Sequence, residues 1–205
     1  MANRDNHYEA AFEAYLRRER LPYIAVDEAR RSLVPDGSLK SLDFIVSPPS
    51  GVSWLVDVKG RRFPSGDEHH QYWKNWSTRD DLRSLAAWER HFGDGFCPLL
   101  VFAYYLVGSR SPLPLEQLFE FRGGHYGFVA VRLADFVPHA RPLSDSWDTV
   151  AMPVGQFRRA ARPLSDLLQT PSMMAAAASL TSTDWQPPPA CLEWQLRNDE
   201  FSNDE

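Results

Sequence analysis

Apolar positions change period several times along the chain, and each change marks an element. From residue 7 to 19, Tyr8, Ala11, Phe12, Tyr15 and Leu16 recur at the spacing of one helical face. A short strand is predicted over 23–26, and two longer ones over 39–46 and 54–61, separated by a Pro/Ser/Gly turn at 47–53. Thr78 then reads as an N-cap with Asp80 and Asp81 in the first turn of a helix. Leu82, Leu85, Ala86 and Phe92 form its apolar stripe, and Gly93 is its stop. Residues 99–106 are a continuous apolar run, as a strand covered on both faces requires. Strand, helix and strand make a crossover unit, so the last strand is expected parallel to the strand over 54–61.

Beyond Gly108 the pattern is weaker. Residues 118–122 and 125–132 read as a hairpin around Gly123-Gly124, either extending the sheet or forming a separate flap. A short strand is expected at 149–152, and 156–169 as helix in two pieces, because Pro163 interrupts it. From Pro171 the composition shifts to an alanine run, a Ser/Thr stretch, three prolines and an acidic end. Residues 169–205 are therefore expected to form a disordered acidic tail. Within it Trp185, Leu192 and Trp194 leave open a motif for a protein partner, although a passive tail is the simpler reading.

Charges inside the predicted strands change this picture. Asp43 lies in one, and Asp57 and Lys59 in the next, each among apolar neighbours. A buried charge is costly unless it is paired or binds a metal. Side chains alternate along a strand, so Asp57 and Lys59 share one face while Trp54, Val56 and Val58 take the other. Asp43 is expected to oppose core-facing Leu42 and Phe44. If the two strands pair through the intervening turn, Asp43, Asp57 and Lys59 converge. Such a group suits Mg²⁺, which takes one or two carboxylates and keeps its other positions for water and phosphate oxygens, with the lysine beside the attacking water. The competing reading of Asp57 and Lys59 alone is an ion pair that sets strand register; the second in-strand aspartate tips the balance toward the metal site.

On the first helix, Glu9 falls at the edge of the apolar stripe and Glu13 further round, where Arg17 is its i,i+4 partner. Glu9 is thus the acid placed to reach a buried site. His7 reads as a polar N-terminal residue rather than a ligand.

The order of helix with Glu9, strand, strand with Asp43, strand with Asp57-Val58-Lys59, helix and apolar strand resembles the PD-(D/E)XK nuclease superfamily. The likeness is to its Holliday-junction-resolvase-like and restriction-endonuclease-like branches. The opening His7-Tyr8-Glu9-Ala10-Ala11-Phe12-Glu13 also resembles the signature for which the HYExAFE family is named. The resemblance covers about the first half of the chain. It departs from the commonest pattern in having Asp57 where glutamate is more frequent and no proline before Asp43. It implies an α/β fold with a restriction-endonuclease-like core, a central mixed β-sheet flanked by helices in αβββαβ order, and a C-terminal β-hairpin extension. Residues 1–168 would form one nuclease-like domain, with its core at 7–107 and extension at 108–168. The implied chemistry is metal-dependent phosphodiester hydrolysis. Asp43, Asp57 and the Val58 backbone carbonyl would bind Mg²⁺ or Mn²⁺, Lys59 would orient or polarise the water, and Glu9 would bind a second metal or help position the first.

The polar, aromatic stretch after Lys59 is the expected place for substrate contact. Lys40, Arg61, Arg62 and Lys74 can meet phosphates, while Tyr72, Trp73 and Trp76 offer faces for base stacking. Equally open is a loop whose aromatics pack back onto the core. The adjacent His69 and His70 have no third ligand at a zinc-site spacing and read as exposed loop residues. Arg158, Arg159 and Arg162 are a candidate phosphate cluster, with a solvated helix face the simpler reading.

Composition bounds these readings. The chain has 205 residues, 43% of them hydrophobic, which allows one sizeable core. Two cysteines, Cys97 and Cys191, provide no disulfide framework, and neither a secretory apolar run nor a membrane-length stretch is present. A soluble cytoplasmic protein is expected. The formal charge of −5 counts against tight binding of nucleic acid through bulk electrostatics. Without the four acids at 199, 200, 204 and 205, 23 acids face 22 Lys and Arg, so the remainder is close to neutral. Two functions follow: a divalent-metal-dependent DNA endonuclease acting on branched or distorted DNA in repair or recombination, or a nuclease-fold protein without catalysis that binds or scaffolds. RNA as a substrate and a homodimer stay open.

Overall fold

The computed structural model describes residues 6–26, 31–34, 37–49, 51–66, 69–143 and 148–169. Helix α1 (His7–Arg18) opens at Asn6, whose side chain accepts the Tyr8 N–H at 3.1 Å. It buries Ala11, Phe12, Tyr15 and Leu16, the stripe expected from the sequence. The next elements are β1 (Tyr23–Ala25), a hairpin of β2 (Ser32–Val34) and β3 (Gly37–Leu39), then β4 (Phe44–Val46) and the long β5 (Ser53–Phe63). After the two-residue β6 (Ser77–Thr78) come α2 (Arg79–Phe92) and β7 (Phe96–Leu106).

The C-terminal half adds β8 (Phe119–Phe121), β9 (Gly124–Arg132), α3 (Leu133–Phe136), β10 (Arg141–Pro142) and β11 (Thr149–Ala151). It ends with α4 (Val154–Ala160), β12 (Arg162–Pro163) and α5 (Leu164–Gln169), so Pro163 separates two helical pieces.

The main sheet runs β1-β4-β5-β7-β9-β12, with β8 also paired to β9. Its pairs are antiparallel except β5 with β7, which are parallel over eleven residues and joined through α2. A small sheet β10-β11-β6 lies apart. The hairpin of β8 and β9 extends the main sheet rather than standing off as a flap. The expected tail lies, from residue 170 onward, outside the described residues, and Cys191 with it.

The sheet is covered on both faces, which is why β5 and β7 are buried almost throughout. Toward α1, Trp54, Val56 and Val58 pack with Leu99, Val101 and Ala103 and with Phe12, Phe44 and Phe128. Toward α2, Leu55 and Phe63 pack with Leu100, Phe102 and Tyr104 and with Leu82, Leu85 and Phe157. Gly60 lets α1 come this close: a Cβ there would lie 2.2 Å from the Tyr8 ring. No helix among the described residues is long and apolar enough to cross a membrane.

Candidate active site

The site forms where β4 leaves β5. Phe44 pairs with Val56 in the last step of the ladder, and just before it Asp43 donates its N–H to the Val56 carbonyl at 3.0 Å. Asp43 is a bend rather than part of the strand. This corrects the expectation that Leu42 and Phe44 share a core-facing side. Leu42 packs in the α2-side cluster and Phe44 in the α1-side one, because the ladder begins only at Phe44. The Asp43 carboxylate turns along the sheet and accepts the Val58 N–H at 2.5 Å. A strand residue points its N–H and C=O to the same edge, so the Val58 carbonyl lies on the side of Asp43, where β4 has ended.

Asp57 and Lys59 point together toward α2. The Lys59 Nζ lies 2.7 Å from Asp57 Oδ2 and donates to Asp81 Oδ2 at 2.7 Å. Asp81 is the third residue of α2 and half of its capping box. It accepts the Thr78 N–H, while its own N–H donates to the Thr78 hydroxyl. Its Oδ2 also accepts from the Ser77 hydroxyl, and its Oδ1 from Lys40 Nζ at 2.6 Å. Lys40 is pinned in turn: its N–H donates to Ser84 and its carbonyl accepts from Trp88 Nε1. Asp43, Asp57, Lys59 and Asp81 are 5, 6, 9 and 6% exposed. Between Asp57, Asp81, Lys40, Ser84 and Trp88 lies a cleft with room for about one water molecule.

The electrostatics follow from this closure. Burial by itself would lower the Lys59 pKa, but the Asp57 and Asp81 carboxylates outweigh it and hold the ammonium above the ordinary lysine value. Burial would raise Asp81, yet Lys59 and Lys40 together keep its carboxyl well below the usual range.

Glu9 is buried as the helical stripe predicts, and its Oε1 accepts a hydrogen bond from Asn6 Nδ2. It belongs to the α1 layer, whereas Asp57 and Lys59 face α2. Glu13 pairs with Arg17 at 2.6 Å, and His7 Nδ1 lies 2.7 Å from the Tyr126 hydroxyl.

Among the described residues no three His, Cys, Asp or Glu side chains gather as a metal-binding group. The donors that lie next to one another along β5 are the Asp57 carboxylate, the Val58 carbonyl and the Asp43 carboxylate that accepts the Val58 N–H. These are hard oxygens, of the kind and number from which Mg²⁺ builds a site completed by water.

The stretch expected to meet substrate is largely turned inward. Arg61 stacks on Trp76, its Cζ 3.7 Å from the ring centroid, and donates to the Gly60 and Trp76 carbonyls. Its burial pulls the pKa down to about 10. Tyr72 and Trp73 meet Phe63 edge-on at 5.1 and 5.6 Å, and Trp73 also contacts Tyr104. The Lys74 carbonyl accepts from the Tyr104 hydroxyl, which fixes the backbone there. Of the expected phosphate contacts, Lys40 is held by Asp81, Arg61 by its stack, and Arg62 is exposed. His69 and His70 are exposed, as are Arg158, Arg159 and Arg162.

Asp81 and Ser84 are members of this cluster that the linear pattern did not single out. Both precede Leu85 on the buried side of α2, but the acid at 81 is already accounted for by the helix cap it makes.

No protein-family model matches the chain, and no curated protein matches it. Among solved structures it is similar to the Holliday junction resolvase Hjc of Archaeoglobus fulgidus, an archaeal hyperthermophile. The TM-score is 0.43 and the identity 10%, over 79% of this chain and 93% of that one.

Proposed function

We propose that this chain is a divalent-metal-dependent deoxyribonuclease with a restriction-endonuclease-like core, which hydrolyses phosphodiester bonds in branched or distorted DNA. The observation that carries the proposal is that Asp43, bonded to the Val58 N–H where the β4-β5 ladder ends, and the Asp57–Lys59 pair flank the same residue of β5. Three buried charges at one strand end are costly as architecture alone. Asp43, Asp57 and the Val58 carbonyl would hold Mg²⁺ or Mn²⁺. When bound, such an ion lowers the pKa of a water and neutralises charge on the phosphate. Lys59 holds a proton-rich ammonium beside Asp57 and is the residue to orient the attacking water. Glu9, from the α1 layer, would bind a second metal or help position the first. The pinned Lys40 borders the site and would meet a flanking phosphate, and the exposed Arg62 of the same strand β5 would meet another.

A second reading has its own observation. Lys59 is clamped by two carboxylates and the cluster is closed, as in a charged group that holds α2 on the sheet. In that reading the chain is a nuclease-fold protein that binds or scaffolds without cutting.

Cleavage of plasmid, linear, single-stranded and four-way-junction DNA with Mg²⁺, Mn²⁺ or EDTA separates the two. Metal-dependent cutting that falls at least about a thousandfold in both Asp57→Ala and Lys59→Ala, roughly 4 kcal/mol of barrier, is expected for the nuclease. No cutting of any substrate with either metal would leave the structural reading.

A further inference from the structure

Lys59 is the one residue of the cluster that the metal reading leaves in conflict. Its ammonium lies 2.7 Å from the same Asp57 carboxylate that a cation would need. An ammonium and a divalent cation on one carboxylate repel each other, and in a buried site that repulsion is poorly screened. The lysine must therefore have a second counter-charge if it is to stay in place.

The structure supplies one from a different element. Asp81 Oδ2 accepts from Lys59 at 2.7 Å, and its other oxygen is held by Lys40 at 2.6 Å. The Thr78 N–H and the Ser77 hydroxyl also donate to the Asp81 carboxylate. Four donors converge on this carboxylate, far more than an ordinary helix cap requires. Its position is fixed by the helix, not by the strand that carries Asp57, so engagement of Asp57 does not move it.

We propose that Asp81 is a positioning residue that retains Lys59 in the site when a divalent cation engages Asp57. This rests on the metal-dependent reading above. Asp57 and Asp81 share the ammonium in the cation-free protein, and Asp81 alone holds it once Asp57 is taken. Lys40 completes the arrangement by balancing the second Asp81 oxygen, so that Asp81 does not itself become a free acceptor for the cation.

The test is a double-mutant cycle read as Mn²⁺ affinity by titration calorimetry on the full chain, with no turnover required. The proteins are wild type, Asp81→Asn, Lys59→Met and the double variant. Asparagine keeps one oxygen for the Thr78 N–H, while the charge is lost and the other oxygen becomes an N–H₂ donor. Asp81→Asn is expected to weaken Mn²⁺ binding at least about tenfold when Lys59 is present and less than about threefold when it is methionine, a coupling of the size seen for groups in direct contact. Asp81→Glu restores affinity, and Thr78→Ala, which removes the other half of the cap, leaves it unchanged. Equal losses in both lysine backgrounds would make Asp81 a plain negative charge, and a matching loss in Thr78→Ala would make it a cap; either overturns the proposal. If Asp81→Asn does not fold, Asp81→Ser takes its place in the cycle. Absence of Mn²⁺ uptake by the wild type would remove the metal reading and this proposal together, whereas uptake with additive effects removes this proposal alone.

Discussion

The two faces of β5 carry alternate residues of one strand into opposite surroundings. Toward α1, Trp54, Val56 and Val58 meet Phe12 and Phe44, whose rings lie edge to face at 5.1 Å. Toward α2, the same strand turns from Leu55 to Asp57 and Lys59, and the helix answers with Asp81 instead of an apolar side chain. The first face is held by area and shape, which are non-directional. The second is held by partners at 2.7 Å, each of which has to be the right charge in the right place. Damage to the first face should therefore appear as lost stability, and damage to the second as lost chemistry and altered pH response.

The largest effect that would sharpen this contrast is on cleavage, where Asp57→Ala or Lys59→Ala removes the reaction while the α1 face stays packed. Next is Phe12→Ala, fully buried between Phe44 and Phe128. It should lower unfolding free energy by about 3–5 kcal/mol in urea denaturation, with cleavage per folded molecule preserved. A loss of cleavage beyond the unfolded fraction would show that the two faces are not separable. Gly60→Ala places a methyl against the Tyr8 ring and should cost about 1–3 kcal/mol by shifting the start of α1. Because Glu9 follows Tyr8, this variant also tests whether the position of α1 matters to the site.

The smallest effect concerns acid. Asp81 is held below the ordinary carboxylate range in the folded chain, so its contribution is complete above about pH 4 and declines as pH falls toward the lower folded value. Lys59 is shifted upward, so its contribution is complete below the ordinary lysine pKa and is lost only as pH rises through the higher folded one. Asp81→Asn should accordingly flatten the loss of stability between about pH 4 and 2 measured by denaturant titration. An unchanged acid slope would mean that Asp81 gains nothing from its two lysines.

Much of the frame is legible in the sequence alone. The α1 stripe, the Glu13–Arg17 pair, the Thr78 cap and the Gly93 stop are local patterns, set by periodicity and by hydrogen bonds within a few residues. The charged residues of β5 were legible too, because a charge in an apolar strand is conspicuous. Asp81 was not, since an acid at the third position of a helix is already explained by the cap it makes. The β2-β3 hairpin, which begins seven residues after β1 ends, also escaped, as its strands are too short for a period to show. The stretch after Lys59 left two outcomes open, and packing chose the inward one: Tyr72 and Trp73 cover Phe63, and Arg61 stacks on Trp76.

The linear pattern specified which segments become helix or strand and that charges would enter the sheet, because both depend on neighbours within one or two turns of chain. Which charges meet could come only from folding. Asp43 finds the Val58 amide 15 residues on, Lys59 finds Asp81 22 residues on, and Lys40 finds it 41 residues on. Such pairings depend on how α2 settles over β5. That geometry follows from the packing of whole elements, and no single residue's propensity encodes it.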